Sequence, residues 1–111
     1  MKSQIDALRQ LTHELLYLGM DGEPIYADRF RQLNSDVYNQ AEALYQKKAR
    51  NDEEEATLCI TLLKAYSATI YDRGDKGGKV QILLDRSWEV LNKISDSLLK
   101  CQLLVVCYGE T

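Results

Sequence analysis

Hydrophobic residues recur every three or four positions along most of the chain, which is the spacing of one face of an α-helix. Five segments carry this pattern, and short polar or glycine-containing stretches separate them. The pattern predicts helices over residues 4–18, 25–48, 53–71 and 79–94, and a fifth that starts at Ser95 or Asp96 and reaches about residue 108. We therefore predict an all-α fold.

The third predicted helix is expected to lie at the centre of the molecule. Leu58, Leu62 and Tyr66 cover one of its sides, alanines occupy others, and little of its surface is charged. Short connections between consecutive helices favour antiparallel neighbours. The sequence thus predicts antiparallel helical hairpins in a single small helical bundle.

Several positions are typical of helix ends. Ser3 with Asp6, and Asp52 with Glu55, have the spacing of a capping box, in which a side chain accepts a hydrogen bond from an orphan backbone N–H. The stretch 73–78 has three glycines and predicts a loop before the fourth helix.

The last segment is apolar on nearly every side. Its run 103–108 holds two adjacent valines and is also compatible with a short buried strand, but a helix is favoured because no second strand exists to pair with it. We expect one helical domain over residues 1–111. The apolar segment near its end has two explanations: the chain is the N-terminal part of a longer protein, or this end docks on another subunit.

The charge balance argues against direct nucleic-acid binding. The formal net charge is −3 and the pI is about 5.1, whereas a nucleic-acid interface needs a basic stripe. The richest basic stretch, 47–50, ends a predicted helix, where cations suit the helix dipole. There is neither a signal peptide nor an apolar run of the roughly 20 residues that span a bilayer. We predict a cytoplasmic protein without membrane contact.

Metal and thiol chemistry are not predicted. His13 is the only histidine, and no zinc-protease spacing surrounds it. The three cysteines, Cys59, Cys101 and Cys107, have no paired spacing of a zinc site. In a cytoplasmic protein we expect reduced, buried thiols. We predict no metal and no cofactor.

One enzyme pattern was weighed and is disfavoured. Asp52 with Glu55, and Asp72 with Asp75, have the spacing of the acidic pairs that bind magnesium in all-helical nucleotide pyrophosphatases. Both pairs flank a single predicted helix, however, and 17 residues of helix separate them by roughly 25 Å. Paired catalytic magnesium ions lie only about 4 Å apart. Such a site could form only between chains of an oligomer, so no catalytic residue is predicted.

Several strings of the sequence resemble the UpxZ family of transcription anti-terminator antagonists, and the similarity extends from about residue 11 to residue 110. The strings are Leu15–Tyr26, Asp28–Asn34, Tyr71–Lys76, Leu84–Leu91 and Ser97–Leu104. The resemblance implies a protein encoded in a bacterial capsular polysaccharide locus beside a NusG-like antiterminator. It further implies that the protein blocks the antiterminators of competing loci, so that only one capsule is made at a time.

A protein of this kind needs a stable scaffold and a binding surface, and the expected partner is a NusG-like antiterminator protein. An acidic chain suits the basic face of a protein that itself contacts nucleic acid. The polar stretches within the strings suggest where contact occurs. The predicted contact residues are Asp28, Arg31 and Gln32 on the second helix, and Asp72, Asp75 and Lys76 in the loop between the third and fourth helices.

The alternative function is a helical interaction or oligomerisation module unrelated to transcription. Seven of the nine aromatic residues are tyrosines, which are enriched at protein interfaces but equally often line the edge of a helical core. A homo-oligomer therefore stays open as an alternative.

Overall fold

The computed structural model describes residues 2–18, 27–69 and 76–110. These residues form five helices and contain no strand, which confirms the all-α prediction and the helical assignment of residues 103–108. The helices are α1 (Lys2–Leu16), α2 (Ala27–Tyr45), α3 (Asp52–Ala68), α4 (Lys76–Leu91) and α5 (Ser97–Glu110).

The third helix is at the centre, as predicted. α3 contacts each of the other four helices, and Leu58, Leu62 and Tyr66 on it have no exposed surface. A helix that is covered on several sides needs apolar side chains around most of its circumference. α3 meets this need after its acidic first turn, with a third buried leucine at Leu63 and buried alanines at Ala56 and Ala65.

Polar contacts show how the helices run. Arg29 at the start of α2 lies 3.6 Å from Glu14 at the end of α1. Gln4 at the start of α1 lines a surface pocket together with Ala43 near the end of α2, so these two helices are antiparallel. Glu55 at the start of α3 pairs with Arg86 towards the end of α4, which makes this pair antiparallel too. α1 and α5 both pack on α3, but they do not contact each other in the described part of the chain.

The start of α3 differs by one residue from the prediction. Asn51, not Asp52, is the N-cap: its extended backbone (φ −153°, ψ 177°) precedes the helix, and its side chain accepts a hydrogen bond from the N–H of Glu54 over 2.8 Å. The Glu54 carboxylate in turn accepts from the N–H of Arg50. This register places four acidic residues in the first turn, where the helix dipole favours them.

The predicted cap at Ser3 is wrong. An N-cap residue has a non-helical backbone, whereas Ser3 lies inside α1, which already includes Lys2. The fifth helix was predicted to start at Ser95 or Asp96; it starts at Ser97, and Asp96 caps it. The Asp96 carboxylate accepts hydrogen bonds from the N–H groups of Leu98 at 2.9 Å and Leu99 at 3.1 Å.

The loop predicted over residues 73–78 is too long, because α4 already begins at Lys76 and includes Gly77 and Gly78. Glycine weakens helices mainly in their interiors. In the first turn, the leading N–H groups have no intrahelical acceptor in any case. Two glycines are therefore tolerated at this position. The glycines alone did not predict correctly where α4 begins.

Candidate partner-binding surfaces

The polar outer face of α2 was predicted to bind a partner. Asp28, Arg31 and Gln32 are all exposed on it, and their spacing of three and four residues puts them on one side of the helix. The Gln32 amide donates a 2.9 Å hydrogen bond to the Asp36 carboxylate. This face is thus a polar, solvent-facing strip, and its binding role stays a prediction.

The remaining predicted contact residues are Asp72, Asp75 and Lys76. Asp72 and Asp75 fall outside the described residues. Lys76 is the first residue of α4 and belongs to the helix rather than to the predicted loop. Their role in partner binding, like that of the α2 face, stays a prediction.

The inner side of α2 is joined to α3 and α4 by a polar link that the sequence reasoning missed. The Tyr66 hydroxyl donates a 2.7 Å hydrogen bond to the Glu42 carboxylate, and Lys79 forms an ion pair with the same carboxylate. The Lys79 ammonium also lies 5.4 Å from the centre of the Tyr45 ring. Burial, together with the bond to Glu42, raises the pKa of Tyr66 above its usual value, so the phenol remains a donor.

A second polar link joins α3 to α4. The Arg86 guanidinium grips the Glu55 carboxylate with two nitrogens, one of them at 3.0 Å, and this hydrogen bonding raises the pKa of Arg86. Glu55 was predicted to complete a capping box with Asp52, and that role is wrong. Bidentate arginine pairs hold a fixed geometry, so Glu55 is a structural group between two helices.

An open groove of about 520 Å³ lies on α3 between α1 and α5. It exists because these outer helices do not touch. Its floor includes Ile60 and Lys64 of α3, and its α1 wall includes Arg9 and His13. The His13 ring packs 4.5 Å from the ring of Tyr17, centre to centre, so the sole histidine is an exposed residue at the groove edge. No sequence motif marks this groove, since only the tertiary packing creates it.

The outer face of α5 is the most apolar exposed surface described. Leu98, Val105 and Tyr108 are each 67% exposed. The Tyr108 ring meets Trp88 of α4 edge to face, with 5.8 Å between ring centres, and Trp88 is itself 39% exposed. The spacing of these α5 residues can be read from the sequence, but the predicted contact residues did not include them.

The three cysteines have two different environments. Cys59 and Cys107 are buried, as predicted, whereas Cys101 is exposed, contrary to the prediction of buried thiols. Burial raises the pKa of Cys59 to about 11 and raises that of Cys107, so both thiols are protonated and unreactive at neutral pH. Within the described residues, no three histidine, cysteine or acidic side chains are grouped so that they could hold a metal. The expected lack of a metal or cofactor stays a prediction.

The helices described are also too short or too polar to cross a membrane. What they offer is binding surface: a polar strip on α2, a mixed groove on α3 and an apolar face on α5.

Comparison with protein families shows which proteins share this scaffold. The model of the UpxZ family of transcription anti-terminator antagonists matches residues 5–109, almost the whole chain. The chain belongs to the UpxZ family. The resemblance drawn from the sequence strings is thereby confirmed.

A solved structure gives the same result. The chain is similar to a crystal structure of a transcription anti-terminator antagonist UpxZ from Bacteroides uniformis, with 41% sequence identity and a TM-score of 0.85. The match covers 98% of this chain and 67% of that one. Comparison with curated proteins gives no significant match.

Membership of the UpxZ family gives the class of function, which is regulation of transcription by opposing an anti-terminator. It assigns no contact residues. Locating the binding surface thus depends on the chemistry of the three surfaces described above.

Proposed function

We propose that this chain binds NusG-like transcription antiterminators directly and blocks them, and that its targets belong to competing capsular polysaccharide loci. The observation that carries the proposal is the family match over residues 5–109 to anti-terminator antagonists. Blocking by binding requires only a folded surface, in agreement with a small helical bundle. The protein would act in the cytoplasm, where transcription takes place.

Charge supports an antiterminator as the partner. The chain carries a net charge of −3, whereas a protein that works on nucleic acid presents basic surface. Opposite net charges accelerate encounter and reject partners of the wrong sign. A partner gripped in this way loses its basic surface to the antagonist, which provides a physical route to inhibition.

We place the contact on the outer face of α2 with Asp28, Arg31 and Gln32, extended by Asp72, Asp75 and Lys76 near the start of α4. The α2 residues are exposed and lie on one side of the helix. Both charge signs occur there, and a mixed pattern can discriminate among related partners better than a single sign. Discrimination of this kind rests on a few surface charges that repel the wrong partner.

Co-purification tests the proposal. The tagged chain is incubated with a panel of NusG-like antiterminators, one from its own locus and several from competing loci, in nuclease-treated extracts. Selective capture of the competing antiterminators is expected. If the folded chain captures none of them, or if capture disappears with nuclease treatment, direct protein binding is refuted.

A further inference from the structure

The described solvent-facing side of α5 differs from the solvent-facing sides of the other four helices because it carries no charged residue. Over residues 97–109, whose side chains the structure describes, no exposed residue is charged; the exposed set is Ser97, Leu98, Cys101, Gln102, Val105, Tyr108 and Gly109. Each of the other four helices exposes at least two charged side chains. With charged residues at 28% of the chain, an uncharged helix face is a marked exception.

The spacing on this face is that of a helix-packing seam. Leu98, Cys101, Val105 and Tyr108 follow one another at intervals of three, four and three residues, which is the a/d pattern of paired helices. All four are exposed, while Leu103 and Cys107 on the opposite side of α5 are buried. α5 therefore has one apolar side that packs on α3 and a second one that faces outwards.

We propose that the outer face of α5 docks on the same face of a second copy of this chain. Charge favours a copy over a basic partner. An acidic chain attracts a basic protein through its acidic surfaces, whereas two copies of the chain repel each other wherever like charges meet. The uncharged α5 face is the place where two copies approach without that repulsion.

The seam is also complementary to itself. In an antiparallel pair of α5 helices related by a two-fold axis, Leu98 lies opposite Tyr108 of the second copy, and Cys101 lies opposite Val105. Such an isologous contact uses one patch twice and closes as a dimer. Trp88 extends the patch on each side, because it packs against Tyr108.

The area of the patch sets the strength of the dimer. The exposed parts of Leu98, Val105, Tyr108 and Trp88, with the small residues between them, amount to about 500 Å² on each copy. A standard stable interface buries about 800 Å² per partner. The patch is smaller than this, so we expect a weak dimer in exchange with the monomer.

Sedimentation equilibrium over a range of concentrations tests this dimer. The expected result is a monomer–dimer equilibrium that Val105→Glu weakens at least about tenfold, since it forces a carboxylate into the apolar seam. Ala7→Glu adds the same charge at an exposed position of α1 and is expected to leave the equilibrium unchanged. Circular dichroism and thermal melting confirm that both variants are folded. A wild-type chain that remains monomeric throughout overturns the proposal, as does equal weakening by both variants.

Cys101 provides a second readout, because it lies on the proposed seam. Its alkylation by iodoacetamide is expected to slow several-fold as the chain concentration rises, and to stay fast in Val105→Glu. Two results would assign the face to another occupant and overturn the proposal. One is protection by an added antiterminator without any concentration dependence. The other is protection only by the part of the B. uniformis protein outside the matched region. Capture of antiterminators is measured separately, so failure of the dimer is distinguishable from failure of the proposed function.

Discussion

α2 and α5 both pack on α3, yet their exposed sides differ. α2 points charged and polar residues outwards, and its inner side combines buried residues such as Val37 and Leu44 with a polar link from Glu42 to Tyr66 and Lys79. α5 exposes an uncharged face, and Leu103 and Cys107 bury its inner side.

The difference separates two ways of binding. A charged strip remains solvated until a partner of matching charge arrives, so it contributes selectivity and speed of encounter. Covering an apolar face is favourable whatever the covering surface is, because it removes apolar area from water. One small helical scaffold thus presents a surface suited to choosing a partner and a surface suited to self-association.

The largest expected effect is on the inner side of α5. Leu103→Ala removes a fully buried side chain and should lower the free energy of unfolding by about 3 kcal/mol, because the lost transfer energy and the new cavity add. Val105→Ala, on the outer side of the same helix, should cost less than about 0.5 kcal/mol. Urea denaturation of both variants measures the contrast. Equal losses would show that the two sides of α5 are not inner and outer as described.

Alkaline pH should destabilise the core beneath α5. The folded-state pKa of Cys59 is raised from 9.0 to about 11, so above pH 9 the unfolded chain releases the thiol proton before the folded chain does. Stability is therefore full below pH 9 and falls as the pH rises towards 11, by about 2–3 kcal/mol. Denaturation curves at successive pH values measure the slope. Cys59→Ala should reduce the slope between pH 9 and 10 and leave a smaller part that comes from Cys107, whose pKa burial also raises. An unchanged slope would contradict the assignment to Cys59.

Exchanging charges on the outer face of α2 should weaken antiterminator capture by about tenfold, or about 1.4 kcal/mol. The double variant Asp28→Lys, Arg31→Glu preserves net charge, so it tests specific pairing and not long-range attraction. Asp6→Lys, Arg9→Glu is a matched control with the same residue types and spacing on exposed α1 positions. Titration calorimetry gives both affinities. A loss in the control alone would move the contact from α2 to the groove that Asp6 and Arg9 line.

The smallest effect is expected at the polar link of α2. Tyr66→Phe removes the hydroxyl that donates to Glu42 and should cost about 1 kcal/mol of stability, since Lys79 continues to pair with the carboxylate. Tyr17→Phe changes an exposed tyrosine and should cost almost nothing. Thermal unfolding of the two variants compares them, and equal stability would show that the link does not anchor α2.

The helices and the central place of α3 could be predicted because periodicity is a local signal. Leu58, Leu62 and Tyr66 mark the buried side of α3 in the sequence as clearly as in the structure. The capping residue was missed by one position, because Asn51 and Asp52 are both good caps and only the hydrogen bond to Glu54 decides between them.

The site was predictable only in part, since surfaces between helices depend on packing. The exposure of Asp28, Arg31 and Gln32 followed from the polar side of one helix. The groove and the ion pair between Glu55 and Arg86 join residues that are far apart in the sequence. No rule based on residue spacing predicts such contacts. The outer face of α5 is an intermediate case. The sequence shows the three- and four-residue spacing of its apolar residues, but only the structure shows that these residues are exposed.

Direct antagonism can be tested in a purified transcription assay that measures readthrough of a terminator by a NusG-like antiterminator from a competing locus. Adding this chain in stoichiometric amounts should abolish the antiterminator-dependent readthrough and leave transcription without the antiterminator unchanged. Undiminished readthrough with a folded chain would contradict direct antagonism. A fall in transcription that is equal with and without the antiterminator would contradict it as well.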